Sequence, residues 1–234
     1  MNQPQAPKSL EAEMKNRIVV LDGAMGTEIQ ALKLVSADYH GKHFEGLGND
    51  LTGNNDILNL TAPDAIRDVH ASYLAAGADI VTTNTFNATT ISQADYEMEE
   101  YVVEINAEGA RLAREACQQV MDADAGRVCW VAGAIGPSNK TTSISPDVND
   151  PGFRAIDFDT IKESYKHAAR ALLVGGVDLF LIETIFDIDG FGLLGFNSVI
   201  GRDYPVVMGV LTLSATLMLL GNVLSDALVA LVDP

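Results

Sequence analysis

Cysteine is scarce: Cys117 and Cys129 are the only two in 234 residues. Two thiols cannot build a disulfide framework, and neither a CxxC pair nor a His/Cys zinc spacing occurs. Positive charge is equally short. Lys and Arg total 15 against 32 Asp and Glu, a formal net charge of −17. Binding nucleic acid needs clustered Lys and Arg to neutralise phosphates, so this balance excludes that partner. It favours a well-solvated, cytosolic type of surface. The opening stretch MNQPQAPKSLEAEMKN has no apolar centre, so no secretory signal is expected. No GxGxxG follows the first candidate strand, which leaves a dinucleotide fold without specific support. What the chain does have is apolar content, 47%, and enough length for one full domain.

Four short apolar runs end in glycine or polar residues: RIVVLDG (17–23), GADIVTTNTF (77–86), RVCWVAGAIGP (127–137) and GVDLFLIETIF (176–186). Each reads as a buried strand. Helical patterns separate them. The segment 61–77 offers Thr61 as N-cap, Pro63 in its first turn and Gly77 as its stop. Residues 95–121 carry apolar positions at helical spacing, and 158–176 offers Asp159 as a cap and a Gly-Gly stop. Strand–helix alternation of this kind predicts parallel strands with helical crossovers. Four such units fit a doubly wound sheet or the first half of a (βα)8 barrel. Polar residues gather where the strands end: Asp22, Thr82–Asn84, Gly136–Asn139 and Glu183–Thr184. In barrels that face carries the active site. One such residue alone is an ordinary turn former; four strand ends together point to a site.

The charge is uneven. Residues 188–234 hold only Asp189, Arg202, Asp203, Asp226 and Asp233, and the 22 residues from Tyr204 to Ser225 carry none. A buried helix inside a soluble barrel would explain the run. So would a membrane-spanning helix, which needs about 20 mostly apolar residues. Length and the lack of any solvated face favour the span.

Several phrases then carry a resemblance: LDGAMGTEIQ (21–30), GNNDILNLTAPDAIRDVHASYLAAGADIVTTNTFNATTISQADY (53–96), GAIGPSNKTTSISPDVNDPGF (133–153) and LIETIFD (181–187). Over residues 17–187 the chain resembles the N-terminal homocysteine-binding domain of cobalamin-dependent methionine synthase. The resemblance implies a (βα)8 barrel that holds homocysteine on zinc at the strand C-terminal face. It implies methyl transfer from methylcobalamin to the homocysteine thiolate, giving methionine, with methyltetrahydrofolate recharging the cobalamin on further domains. It makes Asp22, Gly23, Asn84 and Glu183 the substrate-binding residues. Glu183 would pair with the substrate ammonium, and the Asp22–Gly23 turn would contact its other end. Zinc matters because a free thiol, with a pKa near about 8.5, is mostly protonated at neutral pH, and the metal deprotonates it.

The family's three zinc cysteines belong to a Gly/Asn-Cys motif and a Gly-Gly-Cys-Cys motif, and this sequence contains neither. Cys117 falls in a helical pattern and Cys129 in a strand, so both are expected as core thiols. His40, His43, His70 and His167 form no ligand constellation and are assigned to surface or core. No metal ligand and no catalytic residue is therefore carried over, and the chain alone is expected to be inactive.

From about residue 190 the wording changes. The phrases RDYPVVMG (202–209) and ALVDP (230–234) resemble the C-terminus of dipeptide/oligopeptide ABC transporter permeases, whose last transmembrane helix this segment would be. The expected organisation is a lead-in over 1–16, a partial homocysteine-binding barrel over 17–187 and a permease-like tail over 188–234. The methyltransferase family implies a cytoplasmic protein; the tail implies membrane association through 204–225. Both pieces are incomplete at their junction near 187–190. A membrane-tethered non-catalytic module and a non-functional chimeric fragment are therefore the alternatives to an enzyme.

Overall fold

The computed structural model describes residues 9–140, 142, 150 and 152–182. Residues 1–183 form one compact unit and 184–234 a second. Glu183, the 204–225 run and the 188–234 tail lie outside the described residues. Among the described residues no helix is long and apolar enough to cross a membrane.

The first unit opens with α1 (Leu10–Met14), capped by the Ser9 hydroxyl accepting from Ala12 N–H at 3.1 Å. The expected first strand, 17–23, forms only a single parallel bridge, Leu21 to Ile80. The connection after it holds two short helices that periodicity did not announce, α2 (Met25–Ala31) and α3 (Ser36–His40). The expected 61–77 helix is broken. A short α4 (Leu58–Thr61) precedes α5 (Pro63–Ala75), with Ala62 between them at φ −137° and ψ 53°. A residue before proline avoids the helical region, so Thr61 closes one helix instead of capping the next. Then come β1 (Ile80–Thr82), α6 (Thr90–Gln93) and α7 (Val102–Ala123). The start expected at 95 is taken by 3-10 turns at Ala94–Tyr96 and Glu99–Tyr101. Last are β2 (Trp130–Ile135), α8 (Phe158–Gly175) and β3 (Leu179–Ile182). The α8 cap is Asp157, not Asp159: its Oδ1 accepts from Thr160 N–H at 2.8 Å. The three-residue reach to Thr160 decides between the two aspartates.

β1, β2 and β3 pair in parallel and in sequence order, with Leu21 on the free side of β1. A doubly wound sheet reverses its strand order at a switch point. Here each strand adds beyond the last without reversal, as the walls of a barrel do. The expectation of four βα units is met in part: among the described residues three parallel strands and one isolated bridge make a small α/β sheet consistent with a partial barrel. β2 is buried at all six positions because both its faces are covered. Ile80, Trp130 and Ala132 face one side, where Leu10 of α1 packs on them. Val81, Cys129 and Val131 face the helices, against Leu74, Ala113, Ala116 and Cys117. The two edges carry exposed apolar side chains, Val20 and Leu21 on one, Phe180 and Ile182 on the other. An unpaired strand edge is the expected liability of an open sheet.

A repeated device aligns the strands. In the phrases GADI and GVDL an aspartate stands just before a strand. Asp79 accepts from Val20 N–H at 2.9 Å and pairs with both Arg17 terminal nitrogens at 2.7 and 3.0 Å. Asp178 accepts from Val131 N–H at 2.7 Å and pairs with Arg114 at 2.6 Å. Each carboxylate extends the ladder by one bond beyond the strand start and ties an arginine to the bottom of the sheet. A cavity of about 390 Å³ opens at this same N-terminal end, lined by Glu13, Arg17, Asp79 and Arg127.

Candidate functional site

The polar strand ends lie opposite that cavity. Asp22 follows the Leu21 bridge, with its N–H bonded to the Ile80 carbonyl at 2.9 Å. Its carboxylate reaches across to the end of β1. Oδ2 accepts from Thr82 N–H at 2.8 Å and Oδ1 from the Thr82 hydroxyl at 3.0 Å. Burial pushes the Asp22 carboxyl up to about 6, against the lowering pull of those bonds. No Lys or Arg among the described residues pairs with it. Gly23, next along, is exposed, and its N–H has no acceptor among the described residues. A side chain there would meet the Tyr73 ring at 2.9 Å.

Beyond β1 the threonines continue the ladder with their side chains. Thr83 N–H donates to Ala132 O at 2.9 Å, and the Thr83 hydroxyl accepts from Ala134 N–H at the same distance. The Thr85 hydroxyl donates to Ala134 O at 2.8 Å. This pins the 83–85 segment to β2 and presents Asn84 at the strand-end face. Asn84 is nearly buried, and its amide nitrogen is fully used, donating to Asn55 O at 2.7 Å and Asn59 Oδ1 at 3.3 Å. Its Oδ1 has no partner among the described residues. Asn59 answers by donating to Asn84 O at 2.8 Å and Ile105 O at 3.1 Å. That approach needs Gly109 on α7: a Cβ there would lie 2.6 Å from Asn59 Nδ2 and 2.7 Å from Thr85 Cγ2.

The loop after β2 is held similarly. Gly136 N–H donates to Phe86 O, and Tyr165 of α8 donates its hydroxyl proton to Gly136 O, both at 2.9 Å. Asn139 donates to Asp95 at 2.6 Å. The structure thus brings Asp22, Gly23, Asn84 and the Gly136–Asn139 loop to the strand C-terminal face of one sheet.

Three groups behind this face were missed from the sequence. Asp56 is buried, with Oδ1 accepting from Asn87 N–H at 2.9 Å, and burial pushes its carboxyl up to about 7. Asn54 and Gln93 exchange two amide bonds, at 2.7 and 3.1 Å. Asn59 is the third. The visible signal was the run GNNDILNL, in which Asn54, Asn55, Asp56 and Asn59 interrupt an apolar helical pattern. Four amide or carboxyl groups in a segment this apolar must find internal partners or pay desolvation.

The cysteines are buried, as expected, on the helix-facing side of the sheet. Among the described residues no three His, Cys, Asp or Glu side chains converge as a metal site would require. With two cysteines in the whole sequence, three thiolates cannot be assembled, so the residues present do not fit the family's zinc centre. His40 bridges Ser36 O and Asn49 O at 2.9 and 3.0 Å. His43 packs on Phe44 and Tyr101. His70 is fully buried in α5.

A family model described as homocysteine S-methyltransferase matches residues 19–234, and so runs through the stretch that resembles a permease. The homocysteine methyltransferase MmuM from Escherichia coli is similar in fold. Its metallated form matches with a TM-score of 0.56 and 24% identity over 84% of this chain and 63% of that chain. Its oxidised form matches with 0.57 and 24% over 84% and 62%. The chain thus spans less than two thirds of the length of these relatives.

Proposed function

The chain belongs to the homocysteine S-methyltransferase family, and from that premise we propose that its strand-end face is the amino-acid-binding part of a methionine-synthase-type site. The substrate in this reading is homocysteine and the product methionine. The methyl group comes from methylcobalamin, recharged by methyltetrahydrofolate on cobalamin and folate partner domains. One observation carries the reading. Asp22 is clamped by Thr82 at the carboxyl ends of adjacent parallel strands, with no cation paired to it among the described residues, and the Gly23 N–H and Asn84 Oδ1, likewise without partners among the described residues, belong to the same strand-end face. An amino acid offers an ammonium and a carboxylate. The lone pairs left on Asp22, and Asn84 Oδ1, suit the ammonium; Gly23 N–H suits the carboxylate. Glu183 would be a second ammonium partner. Homocysteine methyl transfer is a cytoplasmic chemistry in this reading.

Zinc would supply the deprotonated thiol, and this chain's residues do not hold it. The 234-residue chain by itself is therefore inactive. Charge-assisted hydrogen bonds contribute about 1.5–3 kcal/mol each, and after association entropy that leaves binding at about millimolar or weaker. Titration calorimetry of homocysteine with and without zinc, followed by an assay of methionine formation from methylcobalamin, tests this. Weak, zinc-independent binding that Asp22→Ala abolishes is expected, with no methionine formed. Zinc-dependent affinity in the micromolar range would overturn the inactive reading. Binding unchanged in Asp22→Ala would overturn the site.

The uncharged run 204–225 favours a second reading, in which a permease-like tail joined near 187–190 tethers the same face to a membrane without catalysis. Recovery of the expressed chain with membranes supports it, and recovery as a detergent-free soluble monomer counts against it.

A further inference from the structure

The Asp22–Gly23 step joins an aspartate to a glycine. In that pair the backbone nitrogen attacks the preceding side-chain carboxyl most readily, because glycine has no Cβ to hinder the approach. Only rotations about the Cα–Cβ and Cα–C bonds of Asp22 separate its carboxyl carbon from the Gly23 nitrogen. The structure treats the two reacting groups in opposite ways. Gly23 is exposed, and its N–H has no acceptor among the described residues. Asp22 is gripped by β1 at main chain and side chain. Its N–H donates to Ile80 O at 2.9 Å, and its Oδ2 accepts from Thr82 N–H at 2.8 Å. The Thr82 hydroxyl lies 3.0 Å from Oδ1 and 3.2 Å from Oδ2. We propose that Asp22–Gly23 is a site of isoaspartate formation and that Thr82 guards it, holding the carboxyl away from the nitrogen that would consume it.

The reaction needs no co-reactant but water. Gly23 N forms a bond to Asp22 Cγ, and one carboxylate oxygen leaves as water with the Gly23 amide proton and a proton from solvent. The product is a cyclic imide. Water then adds to the imide carbonyl that was the Asp22 main-chain carbonyl, and the bond from that carbon to Gly23 N breaks. The chain now runs through Cγ, and the free carboxylate is the former main-chain one, attached directly to Cα. Opening on the other side restores aspartate, and neither outcome changes the mass of the chain. To close the ring Cγ must turn toward Gly23 N, which takes the carboxylate off Thr82. Those hydrogen bonds therefore add to the barrier in the folded chain, and local opening removes them. Such opening is local because a single bridge, Leu21 to Ile80, ties this segment to β1. On the reading of this face as an amino-acid site, the clamp that presents Asp22 to an ammonium also preserves it.

The full chain and its Thr82→Val and Thr82→Ser variants are incubated at pH 7.5, native and in urea, and digested with trypsin. Cleavage after Arg17 and Lys33 puts the step on peptide Ile18–Lys33. Isoaspartate there is scored by enzymatic carboxyl methylation and by resistance to a protease that cuts before aspartate. Asp189–Gly190, the other Asp-Gly step in the sequence, falls on peptide Ala171–Arg202 and shows in urea that the conditions drive the reaction. The native parent is expected to convert about tenfold or more slowly than in urea. Thr82→Val keeps the N–H and loses the hydroxyl. Its native rate is expected to rise about tenfold over the parent's, the effect of one hydrogen bond to a charged acceptor, while Thr82→Ser stays near the parent. In urea the three rates are expected to be equal. Equal native and urea rates in the parent overturn the proposal, and so do equal native rates in Thr82→Val and Thr82→Ser. Thr82→Ala takes the place of Thr82→Val if Trp130 fluorescence shows that variant unfolded. The readout is covalent and independent of ligand. A guarded Asp22 in a chain that binds no homocysteine fails the site reading alone, and an unguarded Asp22 in a chain that binds it fails this one alone.

Discussion

His70 gives the sharpest test of the packing. It sits in the middle of α5 with 0% exposure, and neither ring nitrogen has a hydrogen-bond partner among the described residues. Burial alone pushes the imidazole from 6.5 down to about 4. The folded pKa is below the unfolded one, so between these values the unfolded chain takes up the proton first. The stability in question is complete above pH 6.5 and is lost as pH falls toward 4. The full shift amounts to about 3 kcal/mol, of which about 2 has gone by pH 5. Replacing His70 with leucine removes two buried polar atoms that make no bond, each costing about 1–3 kcal/mol, against a smaller repacking cost. His70→Leu is therefore expected to be more stable than the parent at pH 7.5 by about 1–3 kcal/mol, and the gap to widen by about 2 kcal/mol at pH 5. Trp130, the only tryptophan and buried in β2, reports unfolding of the sheet by its fluorescence in urea titrations. Taking the difference between the two proteins cancels every other titrating group. A gap that stays constant between pH 7.5 and 5, or a leucine variant less stable at both, would show that the imidazole has partners in solution and refute the argument.

The other two predictions concern the site. Asp56 titrates with the opposite sign: its folded pKa is raised to about 7, so its stabilising contribution is present at low pH and lost as pH rises through 7. Relative to Asp56→Asn, the parent should lose about 3 kcal/mol between pH 5 and 8.5, and parallel urea midpoints for the two proteins would refute this. Gly109→Ala separates helix propensity from packing. Propensity alone predicts stabilisation by about 1 kcal/mol, whereas a Cβ driven into Asn59 and Thr85 predicts a loss of about 1–3 kcal/mol, so the sign of the change in urea midpoint decides.

What was legible in the sequence is what local pattern encodes. The GADI and GVDL phrases mark two strand starts, and both aspartates do the same work in the structure, accepting from the preceding strand and holding an arginine. The helices α5, α7 and α8 follow from apolar spacing, with ends displaced where chemistry outvoted pattern: Pro63 split one helix, and Asp157 out-reached Asp159 as a cap. Asp22 and Asn84 were visible as strand-end polar residues, and Gly23 was named only by the family resemblance. The groups that position them were not. Asn59 lies 25 residues from Asn84 and 46 from Ile105, and Asp56 lies 31 from Asn87. Such bonds exist only after the helices have docked, so periodicity carries no trace of them. The short helices α2 and α3 were missed for a similar reason. Each contributes one buried anchor, Ile29 or Tyr39, to a core cluster assembled from distant segments.

The two ends of the sheet also differ in how they treat carboxylates, and this separates scaffold from site more clearly than any motif does. At the N-terminal end Asp79 and Asp178 each meet an arginine as well as a backbone N–H. Hydrogen bonding to Arg17, chief among its contacts, holds the Asp79 carboxyl below the usual range. Asp22 at the C-terminal end and Asp56 behind it accept, among the described residues, only from N–H and O–H groups, and burial lifts both. Among the described residues no cation pairs with Asp22 or Asp56, whereas Arg17 and Arg114 stand against Asp79 and Asp178 at the other end. A carboxylate part-buried and hydrogen-bonded but unpaired gains most from an incoming cation, since the desolvation cost has already been met by folding. An amino-acid ammonium would supply that charge at Asp22, draw its pKa back toward the ordinary carboxylate value, and so bind more tightly as pH rises through about 6.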